Sequence, residues 1–131
     1  MEKPLKKLKV LIVDDELGWR DLLSLELSSE YCFVVTASSA AEALEILRQE
    51  SFDLVITDVR MPGELDGIDL VQTWRREKPA QKAILITGYA VEEKVEQALE
   101  EGCVLCLKKP FESQALFSAI QSLLPAQLFQ R

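Results

Sequence analysis

Histidine is absent from this chain of 131 residues, and positive charge is in short supply. Without histidine, the protein cannot build a histidine-ligated zinc site, a Ser-His-Asp triad or a phosphohistidine carrier. The 15 lysine and arginine residues face 22 aspartate and glutamate residues, and the resulting net charge of −7 disfavours direct binding to nucleic acid. Any chemistry must therefore use carboxylates, hydroxyls, lysines, thiols or a metal ion.

Long apolar runs are missing as well. The longest, residues 31–35 and 103–107, are much too short to cross a bilayer, so we expect no membrane span. The lysine-rich start is followed by only a short apolar run before Asp14 and Asp15, which argues against a signal peptide. An odd count of 3 cysteines does not suit a disulfide framework. These absences predict a cytoplasmic protein.

A C-x-x-C pair, Cys103 and Cys106, suggests a metal or redox site at first sight. The pair lies in an apolar run of strand character, however, and residues three apart on a strand point to opposite faces. We therefore interpret both cysteines as thiols of the core.

Short apolar runs alternate with amphipathic segments, which is typical of βα units stacked around a parallel sheet. The runs cover residues 10–13, 32–36, 54–57, 83–86 and 104–107. Helical spacing is seen between them, including a segment at residues 91–99, and Ser38 or Ser39 with Glu42 can cap the second helix. Trp19 and Trp74 are interpreted as helix anchors against the sheet. The length suits one α/β domain.

Polar residues follow four of these apolar runs. They are Asp14 and Asp15, Asp58, Thr87, and Lys109. Parallel strands bring their carboxyl ends to one edge of the sheet, where ligand sites of open α/β sheets lie. Clustered carboxylates need a cation to stay ionised, and oxygen ligands suit Mg²⁺. The set predicts a site at which a carboxylate accepts a phosphoryl group, with Lys109 and Thr87 binding phosphoryl oxygens.

The same residues carry a family resemblance. The chain resembles the response-regulator receiver domains of two-component signalling through four motifs in order: Val13-Asp-Asp-Glu16, Asp58-x-x-Met-Pro62 with Asp66-Gly67, Thr87-Gly88 and Lys109-Pro-Phe111. The resemblance implies a flavodoxin-like, doubly wound domain at residues 1–124 with a short tail at 125–131. It also implies a five-stranded parallel sheet in the order 2-1-3-4-5 with helices on both faces.

The resemblance further implies a role for each site residue. Asp58 would accept the phosphoryl group of a phosphohistidine on a sensor histidine kinase or phosphotransfer protein, with Thr87 and Lys109 beside it. The implied metal ligands for Mg²⁺ are Asp15, Asp58 and the main-chain carbonyl of Arg60, with Asp14 acting mainly through water. The domain would take part in its own modification rather than turn over a free substrate, and would act on an effector, with a phosphorylation-dependent homodimer as one option.

Two positions depart from the family pattern. Cys106 stands three residues before Lys109, where the family usually has a tyrosine or phenylalanine that moves with the threonine. One extra residue separates Pro62 from Gly67 and lengthens the loop beside the acceptor. We hypothesise that Tyr89, two residues after Thr87, takes over part of the aromatic readout.

Other functions stay open at this stage. An aspartate-nucleophile, Mg²⁺-dependent phosphatase would share the same chemistry, and a receiver-like module could bind partners without phosphorylation. A flavodoxin-like cofactor site is disfavoured because the acidic residues after the first run would repel a phosphate. Since little chain follows residue 124, we expect either a stand-alone receiver or a piece of a longer regulator.

Replacing Tyr89 tests the hypothesis about the readout. We expect Tyr89→Ala to weaken the phosphorylation-dependent response, because the ring that would report the movement of Thr87 is removed. Partner binding measured before and after phosphorylation checks this. An unchanged difference between the two states would remove Tyr89 from the readout.

Overall fold

The five apolar runs form the strands of one parallel sheet. The computed structural model describes residues 4–28, 31–88 and 103–129. The strands are β1 (Leu8–Val13), β2 (Cys32–Ala37), β3 (Leu54–Asp58), β4 (Lys82–Thr87) and β5 (Val104–Lys108). All pairings are parallel and the order is β2-β1-β3-β4-β5, which confirms the expected topology.

Helices join the strands in the described residues. They are α1 (Leu17–Leu27), α2 (Ala40–Gln49), α3 (Gly67–Glu77) and α4 (Ser113–Leu123), followed by a short 3₁₀ helix (Ala126–Leu128). The helix expected at residues 91–99 and the Tyr89 side chain lie outside the described residues. No helix among those described is long and apolar enough to cross a bilayer.

Alternating strand side chains build two core layers, one on each face of the sheet. Leu11 and Val13 of β1 belong to a first core cluster that includes residues of α2 and α3. Val10 and Ile12 belong to a second core cluster that includes residues of α1 and α4. Phe129 is buried in the second cluster, so the chain after α4 packs back onto this layer. The central strands are therefore covered on both faces, as their continuous apolar sequences predict.

Cys106 and Cys32 fit the interpretation as core thiols, whereas Cys103 is half-buried and belongs to neither core cluster. All three are free. Cys106 packs against the first core cluster, whereas the Sγ of Cys103 lies 3.7 Å from the Nζ of Lys82. Burial raises the pKa of Cys106, and it raises the pKa of Cys32 to about 11, which keeps both thiols protonated at neutral pH.

Polar side chains set where the helices on one face begin. The backbone N–H of Glu42 donates to the Ser39 hydroxyl at 3.1 Å, which confirms Ser39 as a cap of α2, but the Glu42 carboxylate accepts from the Ser38 hydroxyl at 2.9 Å. A full capping box forms instead at α3, where the Asp66 and Asp69 side chains accept from each other's backbone N–H groups. This box fixes the start of α3 next to the end of β3.

Gly67 lets α3 start against the backbone of β3. Its N–H donates to the Val59 carbonyl at 2.9 Å. A Cβ atom at this position would lie 1.9 Å from the carbonyl oxygen of Asp58, a distance that no side chain can occupy. The tight contact therefore requires glycine, and it holds the backbone of Asp58 in place.

We expect Gly67→Ala to lower the free energy of unfolding by about 1–3 kcal/mol or more, because α3 must move away from β3. Gly18→Ala in α1 is the matched control, since a Cβ there meets nothing within 4 Å. It should be neutral or stabilise by up to about 1 kcal/mol. Urea unfolding of both variants checks this, and equal stability of the two would contradict the role given to the close approach.

Candidate functional site

The polar residues singled out from the sequence lie at the carboxyl edge of the sheet. Asp14 directly follows β1, Asp58 and Thr87 are the last residues of β3 and β4, and Lys109 directly follows β5. Main-chain hydrogen bonds tie these ends together, since the Lys109 N–H donates to the Thr87 carbonyl at 2.7 Å. The sheet register therefore brings together residues that are far apart in the chain.

The ammonium of Lys109 provides a positive charge at this edge of the sheet. Its Nζ lies 3.5 Å from a carboxylate oxygen of Asp14 and 3.7 Å from one of Asp58. Its side chain is only 14% exposed, whereas the neighbouring Lys108 is exposed. Thr87 is buried at the end of the strand that pairs with β5, so the site also includes a buried hydroxyl.

The turn after β1 is held by its own hydrogen bonds. The Glu16 N–H donates to the Asp14 carboxylate at 2.9 Å, and the Arg20 guanidinium donates to the Asp14 carbonyl at 2.7 Å. Asp14 is 1% exposed, so its carboxylate is fixed between this turn and Lys109. Sequence reasoning missed Arg20, because a lone arginine in an amphipathic helix gives no sign that it reaches back to the turn.

Burial and like charge raise the pKa values of the acids of the site. The pKa of Asp58 is raised from 3.8 to about 6, mainly by desolvation and then by the charge of Asp14, while the charge of Lys109 opposes both effects. Desolvation also raises the pKa of Asp14, although the hydrogen bond from Glu16 and the charge of Lys109 lower it. Lys109 therefore offsets only part of the effect that burial and the neighbouring carboxylates have on these pKa values.

Asp14, Glu16 and Asp58 each offer a carboxylate oxygen, and these oxygens lie within 4.8 Å of one another. Glu16 was not among the predicted ligands, although it continues the acidic run Asp14-Asp15. Asp15 is exposed and is not part of this trio in the described residues, but its charge raises the pKa of both Asp14 and Asp58. Asp15 and the carbonyl of Arg60, which lies in the loop after β3, stay predictions as ligands.

The oxygen trio fits a small hard cation. Carboxylate oxygens are the ligands that Mg²⁺ prefers, and it keeps several waters in its shell. Glu16 is exposed, so the trio is open to solvent on one side. Burial is the main cause of the raised pKa of Asp58, and a divalent cation would stabilise its ionised form.

The loop between Pro62 and Gly67, which is expected to be one residue longer than in the family, makes its turn at Gly63. This residue has a φ of 111°, in the region that favours glycine. Arg60, Pro62, Glu64 and Asp66 line the open depression beside the turn. The extra residue is thus accommodated at the surface, while Gly67 keeps its contact with β3.

A parallel sheet of this order with buried carboxylates and a lysine at its carboxyl edge defines a CheY-like α/β domain. The comparison with known families agrees, since the model for the response regulator receiver domain matches residues 10–121. The chain belongs to this family of two-component response regulators, as its motifs predict.

Individual relatives match over most of the chain. The transcriptional regulatory protein GlrR of Escherichia coli (strain K12) is 39% identical over 119 residues, which are 91% of this chain and 27% of GlrR. The sporulation initiation phosphotransferase F of Bacillus subtilis (strain 168) is 31% identical over 117 residues, 89% of this chain and 94% of that protein.

A solved structure agrees. The response regulator protein TrrA of Thermotoga maritima, in complex with Mg²⁺-BeF, matches with a TM-score of 0.76 and 32% identity over 88% of this chain and 98% of that one. Among the curated relatives, the chain spans about a quarter of the length of GlrR and of the response regulator protein FleR, 27% and 24% respectively.

The shifted pKa of Asp58 predicts a pH-dependent stability. Because the folded-state pKa is raised to about 6, the stabilising contribution is present below pH 3.8 and is lost as the pH rises through 6. Without Mg²⁺, Asp58→Asn should therefore stabilise the fold by about 1–3 kcal/mol at pH 7.5, and by about 1 kcal/mol less at pH 5.

Chemical denaturation at the two pH values checks this. Asp21→Asn, on the exposed side of α1, is the control and should change stability by less than about 0.5 kcal/mol at either pH. A gain for Asp58→Asn that grows toward pH 5 would contradict the assigned direction of the pKa shift.

Proposed function

We propose that Asp58 accepts a phosphoryl group from a phosphohistidine of a sensor histidine kinase or phosphotransfer protein, and that this modification relays a signal. The observation that carries the proposal is the position of the Lys109 ammonium, 3.5 Å from Asp14 and 3.7 Å from Asp58, at an edge where carboxylates outnumber it. Such an edge provides a carboxylate nucleophile together with a cation for the transferred group.

The transfer step uses the Asp58 carboxylate as the nucleophile. One oxygen of Asp58 attacks phosphorus, a P–O bond forms as the P–N bond breaks, and the electron pair of the P–N bond stays on the departing imidazole. With a pKa of about 6, Asp58 is mostly ionised at pH 7 and available for attack. The desolvation that raises its pKa also leaves a more basic carboxylate than one in water.

Lys109 and Thr87 would bind the phosphoryl oxygens. The ammonium offers charge-assisted hydrogen bonds, and the Thr87 hydroxyl offers a neutral donor. Asp14 and Glu16, with Asp15 nearby, would hold Mg²⁺ together with Asp58 and the carbonyl of Arg60. When bound, Mg²⁺ would neutralise charge on the phosphoryl oxygens. The crystal structure of TrrA in complex with Mg²⁺-BeF supports the metal for a relative.

The modification changes the charge at one edge of the sheet. A phosphoryl group adds negative charge and acceptor oxygens, which draw Thr87 and Lys109 toward Asp58 and alter the surface of β4 and β5. The domain takes part in this reaction once per cycle rather than as a multiple-turnover enzyme. Tyr89 is proposed to share the readout, because Cys106 replaces the aromatic residue of the family pattern.

The surroundings of the domain are also proposals. The free thiols favour a cytoplasmic location. The net charge of −7 disfavours direct contact with nucleic acid, so an effector would read the signal. Residues 1–124 would form the receiver domain, with 125–131 as its tail, and a phosphorylation-dependent homodimer would fit the same relay.

Mass spectrometry after treatment with acetyl phosphate and Mg²⁺ tests the proposal. We expect one phosphoryl group per chain, because Asp58 is the acceptor, and none on Asp58→Ala or after chelation of Mg²⁺. Asp21→Ala, which removes an exposed carboxylate of α1, is the matched control and should be labelled like the parent. Labelling that persists in Asp58→Ala would place the acceptor elsewhere, and sustained hydrolysis of small phosphoesters would favour the phosphatase.

A further inference from the structure

Trp19 packs between the turn after β1, which carries Asp14, and the turn after β5, which carries Lys109. It lies in the first turn of α1, three residues after Glu16, and is half-buried against the second core cluster. Its ring centroid is 5.9 Å from that of Phe111, with the two planes tilted by 39°. Phe111 follows Lys109 by two residues, so this aromatic pair joins the turn after β1 to the turn after β5.

The ammonium of Lys109 lies over the face of the same indole. Its Nζ is 4.4 Å from the Trp19 ring centroid, within the distance of about 6 Å at which a cation is attracted to an aromatic face. Tryptophan gives the strongest such interaction, and partial desolvation strengthens it. The 14% exposure of the lysine side chain meets that condition. Within the part of the chain that the structure describes, the Lys109 ammonium thus lies close to two carboxylates and one indole.

We propose that Trp19 is a positioning residue for Lys109 in phosphoryl transfer, a role that rests on the proposed function above. A lysine side chain is flexible and must be held to act at one point. Asp14 and Asp58 are both candidate metal ligands, so a bound cation competes with the ammonium for their oxygens. The indole face is uncharged and offers no carboxylate to the metal. It keeps Lys109 at the site when the carboxylates are engaged.

A purely structural role for Trp19 makes a different prediction. If the indole only packs against Phe111 and the second core cluster, an apolar side chain would replace it as well as an aromatic one would. If it holds the ammonium, a ring face is needed. Trp19→Phe keeps such a face, whereas Trp19→Leu keeps apolar packing alone.

The test compares rates of Asp58 labelling by acetyl phosphate and Mg²⁺ in variants first shown to unfold cooperatively. Trp19→Leu should lower the rate about threefold to tenfold, and Trp19→Phe should recover most of it. Trp74→Leu is the matched control, because Trp74 packs against the first core cluster and donates its indole N–H to Gln81, and it should be labelled at the parent rate. Equal rates for the parent and Trp19→Leu, or an equal loss in Trp19→Leu and Trp19→Phe, would overturn the inference.

A second measurement needs no phosphoryl transfer. The chain has 2 tryptophans, so Trp74→Phe leaves Trp19 as the sole indole. In that background, Lys109→Met should change the fluorescence of Trp19, because a charge is removed from its ring face, and Lys108→Met should not. Unchanged emission in Lys109→Met would show that the contact is absent and overturn the inference. If Lys109→Met changes the fluorescence but the parent chain is never labelled at Asp58, the contact exists and the proposed function is wrong. Any role of Trp19 in phosphoryl transfer would then be overturned as well.

Discussion

The buried carboxylates at the carboxyl edge of the sheet depend on their ion pairs with the ammonium of Lys109. Two carboxylates, Asp14 and Asp58, are 1% and 8% exposed respectively, and burial of ionised acids without a partner is costly. Lys109 lies within 4 Å of both, which stabilises their ionised forms. It does not fully offset the effect of burial, since the pKa of each acid is still raised. The edge is therefore suited to bind further positive charge.

The scaffold holds this charge arrangement through main-chain contacts. Gly67 brings α3 against the carbonyl of Asp58, and the Lys109 N–H is bonded to the Thr87 carbonyl. Arg20 secures the turn after β1 through the carbonyl of Asp14. A sheet buried on both faces resists deformation, so its strands hold the site residues at fixed positions.

Aromatic packing adds a link between charge and helix position. Trp19 contacts both the ammonium of Lys109 and the ring of Phe111, so α1 and the turn after β5 share one packed contact beside the site. The same residue is a helix anchor, as its sequence pattern indicates, and a neighbour of the reactive edge. The two roles are compatible because an indole presents an apolar edge to the core and an electron-rich face to a cation.

Local composition was enough to predict the strands, the α/β class, the acids and lysine at the strand ends and those amphipathic helices that fall in the described residues, since period and turn chemistry act over a few residues. The order of five similar apolar strands could not be read from their periodicity and came from the family motifs, and the structure confirms it. Only the tertiary structure decided that Glu16 rather than Asp15 shares the oxygen trio, that Asp66 and Asp69 form a capping box, and that Trp19 lies under Lys109. The direction of a side chain at a turn depends on the exact path of the backbone. A contact between residues 90 positions apart depends on how strands pair, and neither is written in the pattern of a short segment.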